Sequence, residues 1–387
     1  MSLTDSKRLL SQAWQQLVTL LPEYLELSDV TDGQPGADVA VDRLWRVRTT
    51  DGSESLIFVV AKNSLEPRDA GRLHAQGTEP GRLTAQQPVT LLLVAPWLSA
   101  RSRELLERQG CSYLDLTGNV NFRVERPAVY LRLQGGDRNP DPRLRPPVRL
   151  SGAKARRLVR LLVDFAPPYR LTDLARAGDL NRGYVSSLLN TLDEQALLER
   201  DRRGVVEDVD WPALLVAAAS PYDLLRNNPG KLFISPVGAA NLYRQLGDAA
   251  PRAVVTGSFA ASAIAPVVAP TQLVLYVEDT SAVSRLGRLL PADRGADVVL
   301  LRPEDPMQVE RTRPVTGRIH VGLSQLVLDC LGGNGRLPEE GRAVLEWMRT
   351  NESDWRRRDF PGFDDGSSKL SGVEVSAVSA GGGGAGP

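Results

Sequence analysis

The chain has little of the chemistry from which most metal and redox sites are built. Its 387 residues include two cysteines, Cys111 and Cys330, and two histidines, His74 and His320. Two cysteines so far apart make no disulfide framework. Two histidines make a zinc cluster improbable. A carboxylate-bound Mg²⁺ site survives that shortage, because hard cations take oxygen ligands. No apolar run approaches the length of about eighteen residues that spans a bilayer. Residues 259–270 are apolar but short, and they hold two prolines. No charged segment followed by an apolar core opens the chain, so no secretory leader is expected. Charge of either sign is not in excess, with 47 Lys and Arg against 47 Asp and Glu. These shortages leave a cytoplasmic protein with no cofactor and no membrane partner as the simplest expectation.

The zero balance hides an uneven distribution. From Arg143 to Arg203 there are thirteen Arg or Lys against seven Asp or Glu, a surplus of six, and the rest of the chain carries the opposite excess. Phosphate contact is local, so a local basic segment is the relevant quantity for nucleic acid.

Turn signals and periodicity divide the chain into an α/β domain over 1–135, a linker over 136–150, a helical unit over 151–212, a second α/β domain over 213–360 and a disordered tail over 361–387. The first domain starts with a helix over 5–26, on which Leu10, Trp14, Leu17, Leu21 and Tyr24 share a side. A loop at Gly33–Gly36 precedes strands Val39–Arg48 and Leu56–Ala61, joined by a hairpin at Asp51-Gly52. A helix within 68–84, a strand Thr90–Ala95, a helix Arg101–Gln109 capped by Ser99, and strands Cys111–Leu116 and Val129–Leu133 follow. The linker GDRNPDPRLRPP is rich in Pro and charge and has no apolar period.

The middle unit carries the clearest signal. Helices are expected over Ala153–Phe165 and Thr172–Ala177, and a third begins at Asn181. In the third, Val185, Leu188, Leu189 and Leu192 fall at i, i+3, i+4 and i+7. Arg182, Tyr184, Ser186, Ser187 and Asn190 lie mainly on the other side, and no acidic residue occurs from Asn181 through Thr191. ALLERDRRGVV then reads as a hairpin with a charged tip at Asp201–Gly204. Helix, short helix, turn, longer helix and hairpin is the winged helix-turn-helix order, whose second motif helix enters the major groove. On that reading Arg182, Ser186, Ser187 and Asn190 face bases or phosphates. Arg200, Arg202 and Arg203 approach the backbone, with Arg202 or Arg203 reaching the minor groove. Arg156 and Arg157 add phosphate contacts. The competing reading is a winged helix used only for packing or dimerisation.

In the first domain IFVVAKNSLEPRD poses a question of catalysis. A metal-dependent nuclease needs two or three carboxylates around Mg²⁺ and a Lys that orients or activates water. Asp38 and Asp42 precede, and Lys62 ends the next strand, but Val60 stands two residues before Lys62, where a Glu is needed. Glu54 is at the far end of the strand, and Glu66 and Asp69 follow at a non-standard spacing. Asp115 in CSYLDLTGNVNF could cap the turn at Gly118-Asn119 or join a remnant polar pocket with Lys62.

These stretches resemble a family. IFVVAKNSLEPRD and LLVAPWLSARSRELLERQGCSYLDLTGNVNF are similar to bacterial proteins with a restriction-endonuclease-like, PD-(D/E)xK-like N-terminal domain. Their pattern matches at Val59, Val60, Ala61 and Lys62; Ala95, Pro96 and Trp97; and Tyr113, Asp115, Gly118 and Asn119. The missing Glu at Val60 implies a retired nuclease, so Asp38, Asp42, Lys62 and Asp115 stand as degenerate candidates. With the winged helix and the 213–358 region, the chain resembles the antitoxin-like regulators of abortive-infection type IV toxin–antitoxin systems. That resemblance implies a DNA-binding, nucleoid-associated transcriptional regulator that represses its own operon. It also raises a toxin or other protein partner, with a metal-dependent DNA nuclease as the enzymatic alternative. A homodimer presenting two recognition helices is expected from the geometry of such readers.

The last domain poses a similar question. VVTGSFAASAIAPVVAPTQLVLYVED has the Gly257-Ser258 turn that nucleotidyl transfer uses to hold a triphosphate. The Asp-x-Asp for two metals should fall near Ala269–Gln272, where there is no acid, and Glu278 and Asp279 lie beyond the next strand. An inactive nucleotidyltransferase-like α/β domain is expected, with a close-packed helix Ala260–Ala265 beneath a strand, a buried helix over 323–333 that includes Cys330, and a helix Glu339–Met348 with Leu345 and Met348 inward. The fold class is thus multidomain α/β plus winged helix.

Overall fold

The computed structural model describes residues 3–31, 41–72, 89–140, 150–246, 253–358 and 360. The Gly33–Gly36 loop, most of the expected 68–84 helix and the tail from 361 lie outside them. Two compact units divide the chain, one drawn from 1–147 with 191–196, the other from 148–190 and 197–387. Both are α/β.

The first unit is a seven-stranded sheet with helices on its two faces. In chain order it contains α1 (Leu3–Leu20), β1 (Leu25–Asp29), β2 (Arg43–Thr49), β3 (Glu54–Ala61), α2 (Pro67–Arg72), β4 (Val89–Ala95), α3 (Ala100–Arg108), β5 (Ser112–Asp115), β6 (Val120–Val124) and β7 (Val129–Leu133). Sheet order follows chain order. The pairs β3–β4 and β4–β5 are parallel and the others antiparallel. Strand period 2 sorts the core. Ile57 and Val59 join Leu10, Ala13 and Leu17 of α1, whereas Leu56 and Phe58 join Leu98 and Leu106 at α3. Trp14 meets Trp45 edge-on, with ring centroids 5.0 Å apart. The first helix ends earlier than its period suggests. Its last expected turn gives way to Pro22, then β1, and Tyr24 is exposed, because proline cannot supply the helix hydrogen bond. Ser99 caps α3 by accepting from the Ser102 amide at 3.0 Å.

The second unit begins with α4 (Ala153–Asp164), α5 (Leu171–Ala177), α6 (Arg182–Glu194, of which 191–194 fall to the first unit) and the hairpin β8 (Leu198–Arg200) and β9 (Val206–Val209). It continues through α7 (Trp211–Ala219), α8 (Leu224–Asn227), β10 (Gly230–Ile234), α9 (Ala239–Gln245), β11 (Ala253–Thr256), α10 (Gly257–Ser262), β12 (Leu273–Val277), α11 (Thr280–Leu286), β13 (Leu290–Pro291), β14 (Val298–Leu301), β15 (Arg313–Val315), β16 (Arg318–His320), α12 (Leu323–Leu331), α13 (Leu337–Thr350) and α14 (Glu352–Trp355). The second sheet has the order β13-β10-β14-β12-β11-β16-β15. Helix α12 is buried from Leu323 through Cys330, its polar Ser324, Gln325 and Asp329 included. On α13, Val344 and Met348 are buried while Leu345 is only half-buried.

The expected boundary near 212 does not separate two independent cores. Arg160 of α4 donates to Gln325 of α12 at 2.7 Å, and Arg311 pairs with Asp164 at 2.5 Å. Trp211 and Trp355 stack edge-on at 5.0 Å. The helical unit and the second sheet share one interior.

Candidate nucleic-acid interface

Helix α6 has its two faces where its sequence period places them. Val185, Leu188, Leu189 and Leu192 are buried. Arg182, Tyr184, Ser187 and Asn190 are exposed, and Ser186 is half-buried. Asn181 holds the start of the helix by accepting from the Gly183 amide at 2.8 Å. Residues 178–181 separate α5 from α6, and the amide of Gly178 closes α5 on the Leu174 carbonyl. Tyr169 adds an antiparallel bridge to Val206, so a third short segment runs beside the β8–β9 hairpin.

The hairpin tip is built by Asp201. Its carboxylate accepts from the backbone amides of Arg203 at 2.9 Å and Val205 at 2.8 Å. Gly204 takes φ +82°, a conformation in which a side chain is strained. This fixes Arg202 and Arg203 on the outside of the turn, both exposed. Arg200, one strand residue earlier, is half-buried.

Arg156 and Arg157 do not join this surface. Arg156 is 2% exposed, paired with Glu304, and its guanidinium lies 4.8 Å over the Tyr222 ring. Arg157 donates to Asp305 at 2.8 and 3.1 Å and to the Gly178 carbonyl at 2.9 Å. Their expected phosphate contacts are therefore withdrawn. Both arginines lie in the basic segment, but the stretch after β14 brings Glu304 and Asp305 to them.

In the first unit, the parallel strands bring Lys62 and Asp115 to one end of the sheet, with β4 between them. Asp42 reaches the same end and accepts from the Ala61 amide at 2.8 Å. Asp38 lies outside the described residues. Lys62 is exposed. Val60 packs half-buried against the core on the α3 side. Asp115 is fully buried and accepts from the amides of Leu98, Thr117 and Asn119, the Thr117 hydroxyl and the Asn119 side chain, at 2.7–3.1 Å. Of its two expected roles, capping the turn accounts for the four bonds from Thr117 and Asn119, and the Leu98 amide ties the same carboxylate to the segment after β4. Among the described residues no group of three or more His, Cys, Asp or Glu is arranged to hold a metal ion.

After β11 of the second sheet, Gly257 opens α10 with φ +65°, and a Cβ there would press to 3.2 Å from Val274. Asp279, beyond β12, caps α11 through the Ser281 amide at 2.8 Å. Sequence reasoning missed Asp329. It is fully buried and accepts from Thr256, the last residue of β11, and Gln325 at 2.7 Å and from Tyr222 and Tyr276 at 2.9 Å. Burial raises its carboxyl above the usual range, against four hydrogen bonds that lower it. The available signal was a lone acid within the mainly apolar run LVLDCL.

Among the described residues no helix is long and apolar enough to cross a membrane. The chain matches no protein-family model, no curated protein and no solved structure.

Proposed function

We propose that the chain is a sequence-specific DNA-binding protein, most simply a transcriptional regulator, in which residues 151–212 act as a winged helix-turn-helix. The observation that carries this reading is α6. A thirteen-residue helix buries its whole apolar stripe and offers Arg182, Tyr184, Ser187 and Asn190 to solvent. Arginine and asparagine are the side chains that read guanine and adenine edges bidentately, and serine and tyrosine serve phosphate oxygens. The short turn between α5 and α6, the hairpin with its added bridge at Tyr169 and the arginines at its tip support the same reading.

Arg182 and Asn190 carry base reading, with Tyr184, Ser186 and Ser187 at its margin. Arg202 and Arg203 contact phosphate or the minor groove, and Arg200 contributes from the base of the hairpin. A homodimer would set two such helices about one DNA turn apart on a palindromic operator. The first unit acts as a retired restriction-endonuclease-like domain, and the second sheet as a nucleotidyltransferase-like domain without its metal ligands. An antitoxin role, with a toxin as protein partner, rests on the sequence resemblance alone.

The test is fluorescence anisotropy with random duplex, its single strand and the DNA upstream of the chain's own gene, all with Mg²⁺, followed by a denaturing gel of the same samples. Tight, salt-sensitive binding to the upstream duplex with intact strands supports the proposal. Cleavage abolished by EDTA and by Lys62→Ala would replace it with the nuclease reading. Equal, weak binding to all three would sink sequence-specific recognition.

A further inference from the structure

On the outer strand pair of the second sheet, Arg313 of β15 and His320 of β16 are direct cross-strand partners. Their side chains therefore leave the same face. His320 is fully buried, and its Nε2 lies 3.0 Å from the Tyr243 hydroxyl. Among the described residues its Nδ1 has no hydrogen-bond partner, and neither has Nη1 or Nη2 of Arg313, all three atoms being buried. Arg313 spends only Nε, which donates to the Val321 carbonyl at 3.3 Å. The second arginine of the cluster, Arg318, lies 4.5 Å over the Tyr243 ring and donates to the Tyr243 carbonyl at 2.6 Å and the Thr316 carbonyl at 2.9 Å.

Two arginines thus act on a buried imidazole, and among the described residues no carboxylate does. Burial, then Arg313, then Arg318 hold the His320 ring far below its ordinary range, at about 3. Burial alone lowers Arg313, to about 10. A buried guanidinium without a counter-charge is costly, and elsewhere in this unit the chain supplies one, as Glu304 does for Arg156.

We propose that Arg313 and His320 form a seat for a phosphate-type oxyanion, taken as inorganic phosphate or as the phosphate of a nucleotide. The fork of Arg313 matches two oxygens of such an anion. Tyr243 donates its hydroxyl proton to Nε2, which fixes the tautomer that keeps a proton on Nδ1. That N–H is the third donor. The seat is separate from the α6 surface and does not depend on DNA recognition.

The experiment uses the full chain labelled with ¹⁵N-histidine in a Tris-chloride buffer. Imidazole ¹H–¹⁵N spectra then carry two residues, His74 and His320, and His320→Gln assigns them. Inorganic phosphate, AMP and ATP are titrated separately. The His320 signals should shift saturably with a Kd of about 1 mM or tighter, while those of His74 stay in place. Arg313→Gln should weaken the response at least about tenfold, the worth of a charge-assisted hydrogen bond. Saturation by a nucleotide at lower concentration than phosphate assigns the seat to nucleotides, and the reverse order assigns it to the free anion. Unmoved His320 signals in the folded wild-type protein with all three ligands would overturn the proposal. So would an undiminished response in Arg313→Gln. The wild-type titration decides even if that variant does not fold.

Discussion

Asn119 donates its side-chain amide to one oxygen of Asp115 at 2.9 Å, while its backbone amide reaches the other at 3.1 Å. Asp115 collects three further donors from Leu98 and Thr117. A carboxylate so occupied organises the ends of β4 and β5. Asp115→Ala would leave buried amides unpaired, each costing about 1–3 kcal/mol. The expected outcome is a loss of at least about 3 kcal/mol in urea unfolding. Lys62→Ala, at an exposed site, should stay within about 0.5 kcal/mol of wild type. A near-neutral Asp115→Ala would show that the carboxylate is free for other work.

Arg156→Ala tests whether Arg156 is structural or belongs to the proposed DNA-contacting surface. Its guanidinium is buried against Glu304 and the Tyr222 ring. Removing one partner of a buried ion pair costs about 3–5 kcal/mol. The variant should melt earlier, yet the fraction that is folded should bind DNA with wild-type affinity and salt slope. A stable Arg156→Ala protein with a salt slope lowered by about one would return Arg156 to the phosphate-contacting set.

Arg182→Ala and Arg203→Ala separate base reading from phosphate contact. A base-reading arginine contributes about 1–3 kcal/mol of discrimination between operator and mismatched duplex. A phosphate contact weakens all sequences alike and lowers the salt slope by about one. Arg182→Ala should show the first pattern and Arg203→Ala the second, with unfolding curves unchanged because both residues are exposed. Wild-type binding by both variants at low and high salt would remove α6 and the hairpin from the interface.

Much of this architecture was legible where one physical signal dominated. The period of Val185, Leu188, Leu189 and Leu192 located α6 and its buried face. Asp51-Gly52 located the β2–β3 hairpin, and Ser99 the start of α3. What failed was long-range. Nothing local to Arg156 or Arg157 says that Glu304 and Asp305, some 148 residues away, meet them. Asp329 was passed over because its donors come from three distant elements. Pairing of that kind is fixed by sheet order, which periodicity does not encode.

His320 gives the fold a pH dependence of known sign. Its folded value, near 3, lies below the ordinary value of 6.5. The unfolded chain therefore binds the proton more readily, and stability is lost as pH falls through the window between the two values. Between pH 7.5 and pH 5 the linkage amounts to about 2 kcal/mol. Carboxylates titrate over part of the same range, so the measurement is a difference. Urea unfolding at both pH values should show wild type losing about 2 kcal/mol more than His320→Gln, which cannot take up the proton. Equal losses in the two proteins would mean that the imidazole is protonated, or exposed, in the folded state. Added phosphate supplies the missing counter-charge in the proposed seat, so it should reduce the wild-type loss at pH 5 and leave His320→Gln far less affected.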